Sequence, residues 1–304
     1  MVDPYVIEIA KIPEVVVPGK RLGRHVVHDS RSKRFAVRPV GDIAIRSIQH
    51  ERFITVMDQK DVGACTGFAL VGAMGTGTLF HSIHNSALAN LKILILDGTL
   101  AYDIYASATQ IDPFPGSWLP DDTGSNGLSV AKVAKDLGYI NGYTHCLSLD
   151  AVNTALQSAP VIAGTNWYEG MDKVSVIGKV YPTGQARGGH EYVIDGTDIT
   201  THEFHCTNSW GSQWGHNGGF YISWDDFDQL MHEDGDVTVL NPLTAPVPVP
   251  VPVVEVEFED TTPADMELAA AANLWLSTTP RFYKRGIQTS LREWLAVRNF
   301  PKST

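Results

Sequence analysis

The chain has 304 residues, 43% hydrophobic and 19% charged, with a formal net charge of −11. That length suits one domain of roughly 200–250 residues plus an appendage, and the acidic balance argues against nucleic-acid binding as the main role. No uninterrupted apolar run of about 18 residues occurs, so no transmembrane helix is expected, and the start Met1-Val2-Asp3-Pro4 lacks the basic-then-apolar pattern of a secretory signal.

In chain order, Val6-Ile7-Glu8-Ile9 and Val15-Val16-Val17 read as extended pieces between prolines, an N-terminal arm over residues 1–20. Residues 21–38 are basic and polar, with a turn at Asp29-Ser30-Arg31-Ser32, and predict a solvated surface loop. A helix is expected over 65–84. It holds Gly67, Gly72, Gly75 and Gly77, each costing roughly 1 kcal/mol against alanine. Tertiary packing must therefore hold it, and its small residues predict deep burial. His81 and His84 read as polar residues at the helix end, because no zinc-peptidase Glu accompanies them. A second helix is expected over 100–110, ending before Asp112-Pro113. The turn-rich stretch 121–127 leads into an amphipathic helix over 128–137, with Gly138 as its C-cap. Ser148 caps a helix over 149–157. Residues 160–165 read as a strand, and Trp167 to Met171 as a loop. Further strands are expected over 191–197, 204–207 and 218–222.

Three stretches carry residues suited to chemistry. Met57-Asp58-Gln59-Lys60-Asp61-Val62-Gly63-Ala64-Cys65 sets a Gln six positions before a Cys that opens a small, apolar run. Gly188-Gly189-His190-Glu191-Tyr192-Val193 and Thr207-Asn208-Ser209-Trp210-Gly211 follow. Thiol catalysis needs these residue types. The attacking species is a thiolate, which the partial positive charge of a helix N-terminus favours. An imidazole takes the proton and returns it to the leaving amine. An Asn carbonyl can fix the imidazole's tautomer. A Gln amide and the Cys65 backbone N–H can serve as oxyanion donors. Strand alternation turns Glu191 away from the face of His190, so it is not read as the base.

Together the three stretches resemble the papain family of cysteine peptidases, whose pattern is Gln, Gly-Ser/Ala-Cys-Trp, His, then Asn-Ser-Trp-Gly. His190 and Asn208 follow Cys65 by 125 and 143 residues. The resemblance covers about residues 20–240. It implies an α+β fold, with a helical subdomain, an antiparallel sheet or barrel subdomain, and a cleft between them. It implies Cys65 as nucleophile, His190 as base, Asn208 as orienting group and Gln59 at the oxyanion hole. Trp210 matches the tryptophan that shields the Asn–His bond. Gly124, Ser125 and Gly127 are similar to the strip that hydrogen-bonds an extended peptide, and Trp167 and Tyr168 to a groove wall. Val62 replaces a cysteine of the family, so its usual disulfide is absent, and Thr66 replaces an aromatic residue. This variant is similar to shorter bacterial and phage members. A long helical propeptide is not expected from the 64 residues ahead of Cys65.

The expected layout is a peptidase domain over 1–240, a Pro/Val-rich polyproline spacer over 241–254, and an appendage over 255–304. The appendage shows apolar stripes at helical spacing over 264–276 and 286–298. These stripes pack together, pack on the enzyme, or bind a protein partner. Cys146 and Cys206 are left over from the chemistry; whether they bridge stays open, with a reduced core thiol expected at Cys206. A chain without a disulfide framework suits a reducing cytoplasm, here of a bacterium or phage-infected host cell, with virion association as the other setting. A peptide or protein substrate is implied, with no metal, no organic cofactor, no nucleic acid and no membrane. The competing readings are a catalytically silent papain-like module in a virion or other assembly, and autoprocessing at the Pro/Val spacer.

Overall fold

The computed structural model describes residues 6–38, 44–89 and 94–243. All of these belong to the first of the chain's two units, residues 1–247. The expected spacer beyond residue 243 and the two expected C-terminal helices lie outside the described residues.

The described chain opens with strand β1 (Ile7–Ala10), which pairs antiparallel with β2 (Val26–Asp29). After a helical turn over Ser30–Phe35 comes the two-residue strand β3 (Ile48–Gln49). Helices α1 (Cys65–Met74), α2 (Gly77–Ala89), α3 (Gly98–Ile111) and α4 (Gly127–Asp136) follow in series. The remaining elements are β4 (Gly142–Cys146), α5 (Leu149–Leu156), β5 (Val161–Tyr168), β6 (Ala186–Asp198), β7 (Glu203–Thr207), β8 (Gly219–Ser223), α6 (Trp224–His232) and β9 (Asp236–Asn241). The large sheet runs β4-β9-β5-β6-β7-β8, with β3 added on β6. Every strand pair in it is antiparallel.

Alternation along the central strands divides the interior in two. Ile162 and Val193 point to a core built by α1, α3 and α4. Their neighbours Val161, Ala163, Tyr192 and Ile194 point to a second core with α5, α6 and the outer strands. The helices are capped where their sequences provide short polar side chains. Asp97 accepts from Thr99 N and Leu100 N, Asn126 from Ser129 N, and Ser148 from Ala151 N, each cap contributing about 1 kcal/mol.

The glycine-rich helix is buried throughout its first part, and every residue of α1 is in the interior. The expected single helix over 65–84 is instead two. It breaks at Gly75–Gly77, where Gly77 takes φ +53° and the His50 ring packs against it. Gly67 shows why small residues are needed: a Cβ there would approach the Ala101 carbonyl oxygen of α3 closer than 3.0 Å. Gly67→Ala is therefore expected to destabilise the fold despite its better helix propensity. Overpacking of this kind costs about 1–3 kcal/mol, readable as a lower urea midpoint with unchanged slope.

A second correction concerns residues 167–171. Trp167 and Tyr168 continue β5, because they keep pairing with Gly188 and Ala186 of β6 across a bulge. All three cysteines are buried and unpaired. Among the described residues, no helix is long and apolar enough to cross a membrane.

Candidate active site

Three elements converge on one place. Cys65 is the first residue of α1, whose N-terminus has no side-chain cap. The helix packs on β6, and the backbone N–H of Glu191 is directed at the Cys65 sulfur. His190 is the residue before Glu191. Its Nε2 and the Oδ1 of Asn208, just past β7, are 2.7 Å apart. With Nε2 as the donor, Nδ1 keeps its lone pair, and that nitrogen is buried with no hydrogen-bond partner. Asn208 Oδ1 also accepts from the Ser209 N–H at 2.7 Å, which fixes the carboxamide.

Aromatic rings enclose the imidazole. The Trp210 ring lies 5.0 Å from it and the Trp167 ring meets it edge-on at 4.9 Å. Trp210 thus lies where a shield for the His190–Asn208 bond is needed. Gln59 is fully buried, and its Oε1 accepts from Ser209 Oγ at 2.5 Å. Its amide nitrogen donates to Val62 O at 2.9 Å and to Leu22 O at 3.3 Å. The loop ahead of Cys65 is held by Asp122, which accepts from Gly63 N at 2.9 Å and from Tyr105 Oη at 2.8 Å.

The bond from Gln59 to Leu22 reveals a feature the sequence reading missed. Residues 22–25 run through the cleft rather than over the surface. Leu22, Arg24, His25 and Val26 are buried. Gly23 N and Arg24 N both donate to Gly189 O, at 3.1 and 2.9 Å. On the opposite wall Ser125 N donates to Gly23 O at 2.8 Å, and His25 N to Ser125 O at 2.7 Å. Trp210 Nε1 donates to Arg21 O at 2.9 Å. Further upstream, Arg187 donates to the carbonyls of Val15 and Lys20, both at 3.0 Å. The segment is thus bound as an extended peptide, and Cys65 has no exposed surface. Over residues 22–25 the expected solvated loop fails because the backbone groups find partners on both walls and Arg24 pairs with Asp236, whereas Arg31, Lys33, Arg34 and Phe35 are exposed as expected.

Burial sets the electrostatics of this closed form. Desolvation pushes the Cys65 thiol well above its usual range, and the nearby Glu191 charge adds to that. Desolvation lowers His190 to about 4, against the opposing bond to Asn208. The expected thiolate–imidazolium pair is therefore replaced here by a neutral thiol and a neutral imidazole. The helix N-terminus does not outweigh the loss of water around the sulfur.

The other predicted residues divide. Ser125 pairs with an extended segment, and Gly124 sits against it: a Cβ on Gly124 would meet the Gly23 carbonyl. Gly127 begins α4 and leaves room for the Glu191 carboxylate. Trp167 does not line the groove. It is fully buried beneath His190, Trp210 and Phe220, with Nε1 donating to Asp172 at 3.1 Å. Strand alternation sends it inward once β5 extends past it. Tyr168 points to α6, where its hydroxyl donates to Glu233 at 2.6 Å, so it is a packing residue as well. Arg24 and Asp236 are not singled out by sequence, and Glu191 only as a group turned away from His190. Their signal is a Glu inside a buried strand, which needs a partner.

A helical half and a sheet half, with a Cys on a helix start against the strand that carries a His bonded to an Asn, define the papain-like fold. One solved structure shares this fold. Xylellain, a cysteine protease from Xylella fastidiosa, superposes with a TM-score of 0.53 at 17% identity, covering 76% of this chain and 100% of that one. Digestive procathepsin L 3 of Tenebrio molitor gives 0.47 at 14% identity, over 69% and 74% of the two chains. Stem bromelain precursor gives 0.43 at 14% identity, over 77% and 78%. No protein-family model matches the sequence, and no curated protein matches it.

Proposed function

We propose that this chain is a cysteine peptidase that hydrolyses peptide bonds through Cys65, His190 and Asn208, with Gln59 polarising the carbonyl. The observation that carries the reading is the His190–Asn208 bond, which leaves Nδ1 unpartnered on the strand next to the Cys65 sulfur. Once the cleft opens, the Cys65 proton passes to His190 Nδ1 and the sulfur attacks the substrate carbonyl carbon. The oxygen gains negative charge facing Gln59 Nε2 and the Cys65 N–H. The C–N bond then breaks, and the amine leaves with the proton from His190. The resulting thioester is hydrolysed by a water that His190 deprotonates, which returns the thiol and releases the acid.

Gln59 Nε2 already donates to a peptide carbonyl, that of Leu22. This contact supports its role better than position alone. Cys65→Ala is expected to lower hydrolysis of a mixed peptide substrate by about 1,000-fold or more, as loss of a nucleophile does in such triads. It should also abolish the mass increase from an epoxide thiol inhibitor. Equal cleavage by wild type and Cys65→Ala would reject the peptidase reading and favour the silent module.

A further inference from the structure

The Arg24 side chain ends in a pocket formed by four parts of the peptidase fold. Gly127 at the start of α4, Gly164 on β5, Glu191 on β6 and Asp236 on β9 meet there. Arg24 has no exposed surface. Its Nη2 pairs with Asp236 and donates to Asp234 O at 2.5 Å, while Nε and Nη1 have no hydrogen-bond partner. Glu191 is also fully buried, and both of its carboxylate oxygens are unpartnered. The two glycines make the room. A Cβ on Gly164 would lie 2.7 Å from Arg24 Nε, 2.7 Å from Glu191 Oε2 and 3.1 Å from Asp236 Oδ2. A Cβ on Gly127 would collide with Glu191 Oε1.

One carboxylate, that of Asp236, thus pairs with the guanidinium, and a second, that of Glu191, lies buried and unpartnered beside it in a space kept clear of side chains. Burying acids is costly unless a cation meets them, and a planar guanidinium suits two carboxyl groups better than an ammonium does. The pocket also has a fixed place relative to the chemistry. Arg24 is two residues from Leu22, whose carbonyl faces Gln59, and its N–H binds Gly189 O beside His190. When residues 22–25 leave the cleft, the acids lose their cation and the pocket is free.

We propose that this pocket is the specificity site of the peptidase, selecting peptides with an arginine two residues from the cut bond, and that Arg24 is its built-in occupant. The preference rests on the peptidase reading; the pocket's affinity for guanidinium does not. The two are separated by measuring binding apart from cleavage. In full-length Arg24→Ala, ethylguanidinium should raise the thermal midpoint saturably by several degrees, while ethylammonium does so less. Wild type should not respond, because its pocket is filled. Adding Glu191→Gln and Asp236→Asn to Arg24→Ala should remove the response. Arg24→Met, which keeps the apolar stem, serves in the same way if the alanine variant does not fold. No rise, or an equal rise in wild type, overturns the site.

For specificity, a peptide mixture is incubated with full-length Gly23→Val, a substitution that the closed cleft cannot accommodate. Arginine should be enriched two residues from the cut. Glu191→Gln should lower kcat/KM for arginine peptides on the order of tenfold relative to leucine peptides. Cleavage without arginine enrichment overturns the specificity role. Guanidinium rescue without any cleavage supports the pocket and rejects the peptidase reading.

Discussion

Gly23→Val is expected to expose Cys65 and to raise its rate of alkylation by iodoacetamide roughly 30- to 150-fold. Gly23 sits at φ +125°, and a Cβ there would lie closer than 3.0 Å to three backbone atoms of Gly63. The obstacle is backbone of the loop that carries the nucleophile, so no rotamer change relieves it. Strain and overlap together cost about 2–3 kcal/mol in the closed form only. The open form, with the segment withdrawn, tolerates the valine. Hydrolysis should increase in step with alkylation, because the same closed cleft limits both. Gly19→Val provides the control. Gly19 also has a positive φ, +70°, but open space surrounds it, so its variant should leave the Cys65 rate near that of wild type. Wild type alkylating as fast as Gly23→Val, with the adduct mapped to Cys65, would show that the cleft is already open in solution.

The cleft-filling segment and the triad differ in how they are encoded. Cys65, His190 and Asn208 each sit in a short motif whose neighbours have local jobs. Gly63 anchors the chain just ahead of Cys65 through Asp122, and Ser209 and Trp210 fix and cover Asn208. Those motifs are readable without knowing the fold. Residues 21–25 have no such local signature. Leu22 and Arg24 are buried by partners far along the chain: Gly189, Ser125, Asp234 and Asp236. A basic, glycine-containing run reads as solvated until those partners are placed. Trp167 was misread for a related reason. Its side chain points inward because β5 continues through a bulge, and bulges depend on the pairing strand. The break between α1 and α2 is legible at Gly75 and Gly77, because packing does not bridge two closely spaced helix-poor positions.

Acidification is expected to loosen the same segment in the wild-type chain. His25 lies within it: Nδ1 accepts from Ile12 N at 3.1 Å and Nε2 donates to Thr123 O at 2.7 Å. Protonation would place a hydrogen on Nδ1 and break the first bond. Desolvation holds this imidazole below its usual range, and likewise lowers His190 to about 4. Both rings are therefore neutral in the closed form and return toward the ordinary value of about 6.5 when water enters. The sign follows directly. A group depressed in the closed state stabilises that state above about pH 6.5, and the contribution is lost as pH falls toward about 4. For His190 alone the full span amounts to about 3 kcal/mol. Glu191 opposes part of this, because burial raises its carboxyl and opening there releases a proton. The two histidines thus favour opening as pH falls below about 6.5, and the carboxyl offsets part of that gain. Hydrogen exchange at the Gly23, Arg24 and His25 amides reads this without involving the thiol. Corrected for intrinsic rates, their protection should fall several-fold between pH 7 and 5, while amides in β5 and β6 stay protected. Protection that is flat across this range would mean that the buried imidazoles do not govern the segment's release.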